Sequence, residues 1–192
     1  MYRMIPVVLA AIVLLAASAL IVTDHVRADE HKKAAAITKA VAVVRPTKGT
    51  KVRGTVMFNE KDGKVTITAN FRGLNPNQKH AIHIHEFGDI RKPDGTGTGG
   101  HYNPEGHDHA LPDKEMRHAG DLGNLEADGE GNAKFKLVVD NVTIAGHKNP
   151  ILGRAIIVHE KADDGGQPTG NAGPRVSQGV IGIANPTPPK AN

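Results

Sequence analysis

Short apolar runs separated by turn residues constrain the fold of this chain more than any other feature. Within the runs, apolar side chains tend to fall at every second position, the pattern of a strand with one buried face. Turn sequences such as Lys61-Asp62-Gly63 separate them. The runs are TKAVAVV, KVRGTVMF, KVTITANF, AIHIHEF, AKFKLVV, AIIVHE and VIGIA. No stretch has a sustained helical period, so we predict an all-β fold, an eight-stranded antiparallel Greek-key flattened barrel or sandwich.

Two intervals are too long and too rich in Gly and Pro to be hairpin turns. One runs from residue 88 to about 120 and the other from residue 161 to about 179. Loops of this length in a compact domain are usually functional or disordered. Because they contain or adjoin most of the histidines, we predict that both are functional.

The N-terminal residues have the composition of an export segment. Arg3 precedes an apolar run over residues 5–22, and small-residue cleavage patterns end at Ala19 and Ala28. A basic start followed by an apolar run is typical of a signal peptide. The run is also nearly long enough to span a bilayer, so an uncleaved N-terminal membrane anchor stays open as the alternative. In both cases we expect an exported protein, either periplasmic, extracellular or membrane-anchored and facing outward.

The composition divides the chain into four segments. Residues 1–28 form the signal peptide or membrane anchor, and residues 29–36 form a charged, Ala-rich linker. Residues 37–186 form the folded domain, and residues 187–192 form a Pro-rich tail. A chain of 192 residues leaves little room for a second full domain.

Charge and cysteine content exclude several classes of function. The net charge of +4 is mild and dispersed, and no basic run is interleaved with aromatic residues, so we expect no nucleic-acid partner. The chain has no cysteine, which removes thiolate ligands and disulfides together. Any metal site must therefore use His and carboxylate ligands.

Three histidines lie close together in the run KHAIHIHEFGD. His83 and His85 have the same parity, so on a strand both imidazoles point to one face, while His80 points to the other. A pair of imidazoles on one face can reach a single metal ion. Without further ligands, such a pair is as consistent with two polar residues on a solvated face as with a metal site.

Further candidate ligands follow in the two predicted loops and between them. The first loop holds four histidines with an aspartate directly behind it: His101, His107, His109, His118 and Asp121. His159 ends the apolar run AIIVH, and it is followed by Glu160 and the pair Asp163-Asp164, whose carboxylates could orient ligating rings. Each of these residues alone could be an ordinary polar side chain.

Together these motifs resemble the copper/zinc superoxide dismutase family. The matching segments, in chain order, are TKAVAVV, HIHEFGD, GGHYNP, RHAGDLGN, VHEKADD and GNAGPRVSQGVIGIA. They cover the chain from about residue 37 to residue 184. The resemblance implies copper and zinc as cofactors. Its copper ligands would be His83, His85, His101 and His159, and its zinc ligands His101, His109, His118 and Asp121, with His101 bridging the two metals.

The resemblance also gives roles to residues that bind no metal. Asp163 would hydrogen-bond one ligand of each metal. Arg175 would be the cation that attracts and positions superoxide at the copper channel, with Thr169 on the channel rim. His80 would be structural, and His107 would lie outside the ligand set.

The implied activity is the dismutation of superoxide to oxygen and hydrogen peroxide, with copper cycling between Cu(II) and Cu(I). His101 and Arg175 would be the catalytic residues, because His101 takes up and returns a proton. Two alternatives stay open: a non-catalytic exported copper/zinc-binding protein, and a domain that keeps only the fold. A homodimer is also expected, because GVIGIA resembles the contact strand of dimeric members.

Two features depart from the family pattern. The family normally carries a disulfide from the first long loop to the last strand, but here the strand position is Gln178 and the loop segment is PDGTGTGG. Either Gln178 and nearby backbone hydrogen bonds replace the bridge, or metal binding carries more of the stability. The second loop is also short and lacks the usual steering charges.

Overall fold

A computed structural model describes residues 36–187 of the chain. The predicted signal or anchor segment 1–28, almost all of the linker and almost all of the Pro-rich tail lie outside the described residues. Within residues 36–187 there is no helix with the length and hydrophobicity of a membrane span.

Eight antiparallel strands form a nearly closed barrel, which confirms the predicted all-β Greek-key fold. The strands are β1 (Lys39–Pro46), β2 (Arg53–Lys61), β3 (Lys64–Arg72), β4 (Lys79–His85), β5 (Asp121–Glu126), β6 (Ala133–Val139), β7 (Ala155–His159) and β8 (Arg175–Ile183). Their order around the barrel is β5-β4-β7-β8-β1-β2-β3-β6. Neighbours such as β3 and β6 are distant in sequence, as Greek-key connections require.

Alternation of side chains along the strands creates the core. The inward positions of β1 to β3 carry small and branched apolar residues, and β4 contributes Ile82 and Ile84, both fully buried. In β4, however, the opposite face is buried as well, so every side chain from His80 to His85 is shielded from solvent. The outer face of β4 must therefore be covered by other segments, which are the long loops.

The structure differs from the sequence-based prediction in one strand, one strand boundary and one loop. β5 was missed because its sequence, DLGNLE, contains Asp, Gly and Asn, which are depleted in strands. β8 begins at Arg175 rather than after residue 179, so the second long loop ends sooner. The connection from β6 to β7, residues 140–154, is a third long loop that the prediction did not include.

The first long loop is fixed to β4 by backbone hydrogen bonds. Ile84 N donates to Gly120 O (2.9 Å), Gly120 N donates to Tyr102 O (2.9 Å), and Tyr102 N donates to Ile84 O (2.8 Å). A side chain at position 120 would collide with the backbone oxygen of Ile84, so this close approach requires glycine. The contacts bring the residues on either side of Tyr102 and Gly120, His101 and Asp121, next to the histidines of β4.

Candidate metal centre

Four buried histidines converge on the outer face of β4 and form what we call the four-histidine cluster. Its members are His83, His85, His101 and His159. His83 and His85 lie on β4, His159 ends the neighbouring β7, and an isolated β-bridge pairs His101 with His85. One ring nitrogen from each lies within 4.8 Å of the others. A single ion could be reached by all four rings.

A second group of ligands shares one histidine with the first, and we call it the mixed cluster. Its members are His101, His109, His118 and Asp121, all buried. His101 Nδ1 lies 2.9 Å from Asp121 Oδ1 and 3.4 Å from His118 Nδ1. His109 Nδ1 lies 3.0 Å from Asp121 Oδ2. Three imidazoles and one carboxylate around one point are a complete tetrahedral ligand set for zinc.

Backbone carbonyl groups orient two rings of the four-histidine cluster. His85 Nδ1 lies 3.0 Å from Gly99 O, and His159 Nδ1 lies 3.1 Å from Gly173 O. In each pair the Nδ1–H group donates to the carbonyl, so Nε2 of each ring is unprotonated and its lone pair is available to a metal ion. These two Nε2 atoms lie 3.4 Å apart and face each other. Each carbonyl belongs to one of the two long loops, so both loops help to set the ring orientations.

The carboxylate of Asp163 joins the two clusters. Its Oδ2 lies 2.9 Å from His83 Nε2, and its Oδ1 lies 2.9 Å from His109 Nε2. Both nitrogens donate to the carboxylate, which leaves Nδ1 of each ring free to bind a metal. Asp163 itself is held by Asn124, whose side chain donates to Asp163 O (2.9 Å) and accepts from Asp163 N (2.7 Å).

Several buried ring nitrogens have no hydrogen-bond partner within residues 36–187, and this shows that the residues fit metal ions. Among the described residues, His83 Nδ1, His101 Nε2 and His109 Nδ1 are buried and have no hydrogen-bond partner. His109 Nδ1 is near Asp121 but is not aligned with it for a hydrogen bond. Buried polar atoms without partners are costly and rare. Of the six such side-chain atoms in the described residues, these three belong to cluster members, and the others are Arg117 Nε, Ser177 Oγ and Gln178 Oε1. The donor set therefore fits copper and zinc.

Among the cluster histidines with a shifted pKa, His109 alone holds its proton more strongly than a free imidazole, whereas burial also lowers the pKa of His118 in the same cluster. Burial lowers the pKa of His83 to about 4 and that of His159 to about 3, so both rings are neutral at neutral pH. Burial also lowers the pKa of His109, but the carboxylate of Asp121 close to Nδ1 and the hydrogen bond to Asp163 outweigh it and raise the pKa to about 9. His109 must therefore release a proton before its Nδ1 and Nε2 can serve a metal and Asp163 respectively.

Arg175 lies beside the four-histidine cluster, as the resemblance implies. Its guanidinium donates from Nη1 to Gly95 O (2.5 Å) and Thr98 Oγ1 (3.0 Å), and from Nη2 to Gly99 O (2.7 Å). Its charge contributes to the lowered pKa of His85 and of His159, after burial and the neighbouring histidines. The cation is thus fixed within electrostatic range of the cluster.

The amide of Gln178 occupies the position where the family carries a cysteine. Gln178 is buried, and its Nε2 donates to Lys92 O (3.0 Å) in the first long loop. Lys48 N donates to Pro93 O (2.7 Å) in the same segment, which adds a backbone tether. Hydrogen bonds of Gln178 and of the backbone therefore hold the loop where a disulfide would otherwise do so, the first of the two compensations considered from sequence.

Residues 36–187 contain three further histidines that belong to neither cluster: His80, His107 and His147. His80 is buried on the other face of β4, where Nδ1 contacts His159 O (2.9 Å) and Nε2 accepts from Asn75 N (3.2 Å). His107 is partly exposed, with Nδ1 3.2 Å from Arg117 O. Thr169 is exposed in the second long loop. Two supporting residues escaped the sequence analysis: Asn124, although it ends the quoted motif RHAGDLGN, and Gln167, whose side chain hydrogen-bonds both backbone groups of His109.

Replacement of the shared carboxylate is expected to weaken both metal sites. Asp163→Ala removes both acceptor oxygens, so neither His83 Nε2 nor His109 Nε2 keeps its acceptor. Removing such a partner typically costs 10- to 100-fold in metal affinity. Chelator competition followed by metal analysis measures the effect. Asp164→Ala, at the exposed neighbour, is the control and should leave both affinities unchanged; weaker binding of only one metal in Asp163→Ala would contradict the coupling.

Zinc is expected to leave before copper as the pH falls. His109 in the metal-free protein has a pKa of about 9, so below that pH protons compete with zinc and its affinity falls as the pH falls. His83 stays neutral down to about pH 4 and His159 down to about pH 3, so protons compete with copper for these two rings only below about pH 4. Dialysis against a chelator at stepped pH values, with metal analysis, checks this order. Release of copper at the higher pH would contradict it.

Comparisons with known proteins agree with this geometry. The family model for copper/zinc superoxide dismutase matches residues 52–181. A superoxide dismutase [Cu-Zn] of Paramecium bursaria Chlorella virus 1 is 46% identical over 141 residues, which are 69% of this chain and 74% of that protein. One from Claviceps purpurea is 43% identical over 154 residues, which are 76% of this chain and 97% of that protein.

A solved structure shares the fold as well as the sequence pattern. The crystal structure of the clock protein EA4 superposes with a TM-score of 0.69 at 40% sequence identity, covering 77% of this chain and 95% of that one. The family match spans six of the eight strands in full, and it includes every member of both clusters together with Asp163 and Arg175. The chain belongs to the copper/zinc superoxide dismutase family.

Proposed function

We propose that the four-histidine cluster holds the copper and the mixed cluster holds the zinc of a superoxide dismutase, with His101 shared between them. The position of His101 carries the proposal. Its Nδ1 lies among the atoms of the mixed cluster, and its buried Nε2 has no hydrogen-bond partner among the described residues. A ring with one nitrogen available to each cluster can bridge two ions.

The reaction converts two superoxide anions and two protons to oxygen and hydrogen peroxide. Bound copper supplies the one-electron chemistry, in which one superoxide is oxidised and a second is reduced. Three imidazoles and a carboxylate leave a zinc ion no open position, so zinc has a structural role. The protein's own contributions are to attract the anion, to position it and to supply a proton.

Arg175 attracts and positions the anion. Three hydrogen bonds to the first long loop fix the guanidinium, so it loses little freedom when superoxide binds. A fixed cation beside a small site raises the local concentration of an anion and the rate of its arrival. We assign the proton-carrying role to His101 Nε2, because His101 is a member of the four-histidine cluster and this atom has no hydrogen-bond partner among the described residues.

A non-catalytic copper/zinc-binding protein is the alternative, and the comparisons do not favour it. The relatives with the highest identities named above are superoxide dismutases. Metal storage alone would not need a cation such as Arg175 held by three hydrogen bonds at the four-histidine cluster.

Removing the cation is expected to slow dismutation without removing the metals. Arg175→Ala should retain copper and zinc but lose roughly 10-fold or more in kcat/KM, and its rate should depend less on salt because a steering charge is gone. His85→Ala is the inactive reference. Superoxide consumption is measured at several ionic strengths beside metal analysis. Metal-replete wild-type protein with no activity above His85→Ala would overturn the proposed function.

We also propose that two copies of the domain associate through an apolar patch at the end of β8. Phe87 and Ile183 are 57% and 62% exposed, and Ile90 is 40% exposed. A Cβ built on Gly88, next to Phe87, would lie 3.1 Å from Val180 Cγ1, so this loop lies against β8. Contiguous exposed apolar residues favour an interface, whereas isolated ones do not.

A charge in this patch is expected to prevent association. Phe87→Glu should sediment as a monomer at concentrations where the wild type is a dimer, because an ionised carboxylate cannot be buried without a partner. Val138→Glu, at a residue of similar exposure (51%) on β6, is the matched control and should remain dimeric. A wild type that is monomeric at high concentration would contradict the proposed dimer.

Export is the third part of the proposal, and the sequence of residues 1–28 supports it. Mass spectrometry of the protein from its native host separates the two forms of the proposal: a mature N-terminus near Ala19 or Ala28 indicates a signal peptide, and an intact N-terminus in the membrane fraction indicates an anchor. Intact protein in the cytosol would contradict export.

A further inference from the structure

The outer face of four neighbouring strands carries positive charge and no carboxylate. The outward positions of β1, β2, β3 and β6 carry eight exposed cations, and we call this surface the basic face: Lys39, Arg45, Arg53, Lys61, Lys64, Arg72, Lys134 and Lys136. The one carboxylate in these strands is Glu60, which has inward parity and accepts a hydrogen bond from Ile144 N (2.7 Å). Other carboxylates near the basic face, such as Asp62, Asp128 and Asp140, lie in turns at the strand ends.

The cations of the basic face are not neutralised within the domain. In residues 36–187 the salt bridges of Lys and Arg are Lys79–Glu126, Arg91–Asp89 and Lys114–Asp113, and none involves the basic face. Arg53 and Arg72 are directly opposite each other in the β2–β3 ladder. Like charges at opposed positions destabilise a sheet. An anionic partner would relieve this repulsion.

The dimensions of the basic face match an extended anionic surface. Lys39 and Arg45 are six residues apart on β1, which corresponds to about 20 Å along the strand, and four strands span about 14 Å across. At one end, Arg45, Arg53, Arg72 and Lys134 line an open groove of about 540 Å³. Several cations over a broad, gently curved area suit a layer of phosphate groups, and the groove suits one headgroup.

The residues between the cations favour a lipid surface over nucleic acid. Met57 and Val138 are exposed on the same face, at 40% and 51%. Apolar side chains among cations are typical of proteins that lie on a bilayer, where they enter the headgroup region. The aromatic residues of these strands, Phe58, Phe71 and Phe135, have inward parity, so the face has no ring on which a base could stack.

We infer that the basic face docks the domain on the surface of an anionic phospholipid bilayer. The first cation of the face, Lys39, opens β1, and residues 23–38 separate it in sequence from the apolar run over residues 5–22. Docking by the basic face uses residues of the folded domain, so it holds whether that segment is cleaved or kept. It does not involve Arg175 or either cluster.

Vesicle binding of the full chain tests the inference. The probe is phosphatidylcholine vesicles with about 30% phosphatidylglycerol, and pure phosphatidylcholine vesicles give the baseline that includes any binding by the N-terminal run. Each basic residue near an anionic surface contributes roughly fivefold in binding. The triple variant Arg53→Gln, Arg72→Gln and Lys134→Gln should therefore lose on the order of 100-fold of the preference for anionic vesicles.

A matched control distinguishes an effect of the basic face from an effect of the lower net charge. Lys79→Gln, Arg91→Gln and Lys148→Gln together remove the same charge from elsewhere on the domain and should keep most of the preference. An equal loss in both triple variants, or wild-type preference in the face variant, overturns the inference. Displacement of wild-type protein from the vesicles by a short DNA duplex, at a concentration of duplex phosphate equal to that of the lipid, also overturns it, because the face would then favour nucleic acid.

Three further measurements accompany the vesicle assay, and the first keeps the result independent of folding and of catalysis. Dismutase activity reports whether each variant is folded, and both triple variants should retain it. The single variants Arg53→Gln and Arg72→Gln, each of which removes one of two opposed charges, should each lose roughly fivefold of the preference. Raising the salt from about 50 to about 300 mM should reduce the preference of the wild type, and a salt-independent preference would overturn the inference.

Discussion

The carboxylate of Asp163 is the contact on which the arrangement of both clusters depends. It receives N–H groups from His83 on β4 and from His109 in the first long loop, and it lies in the second long loop. Three distant parts of the chain are therefore joined at one buried side chain. Burial raises the pKa of this carboxyl, but its hydrogen bonds to the two histidines outweigh that effect and hold the pKa well below its usual range. Because the group stays ionised, it fixes the protonation of both rings.

Much of this architecture could be predicted from local patterns. The parity of His83, His85 and His80 on one strand needs only the two-residue period of a β-strand, and the structure has it. The assignment of His109 rather than His107 to the ligand set came from the family resemblance. In the structure His109 belongs to the mixed cluster, while His107 contacts the backbone of Arg117.

Other features could not be predicted, for identifiable physical reasons. β5 lacks the branched and aromatic residues that mark a strand, and its pairing with β4 depends on the loop contact at Gly120. Asn124 supports Asp163 across 39 residues of sequence, a distance over which single-sequence patterns carry no information. The basic face escaped notice because its cations are dispersed along the chain, and only the strand order places β6 beside β3. The mild net charge of the whole chain does not reveal that these cations cluster on one face.

The tether at Gln178 has a consequence for how the protein matures. A covalent bridge between the first long loop and β8 would have to be formed by an oxidant and could be opened by a reductant. An amide-to-carbonyl hydrogen bond, here 3.0 Å from Gln178 Nε2 to Lys92 O, forms as the chain folds and needs no electron acceptor. The loop that holds Arg175 and orients His85 can therefore close in a reducing or an oxidising compartment alike. The arrangement of Arg175 and His85 then depends on folding, and not on the redox poise of the surroundings.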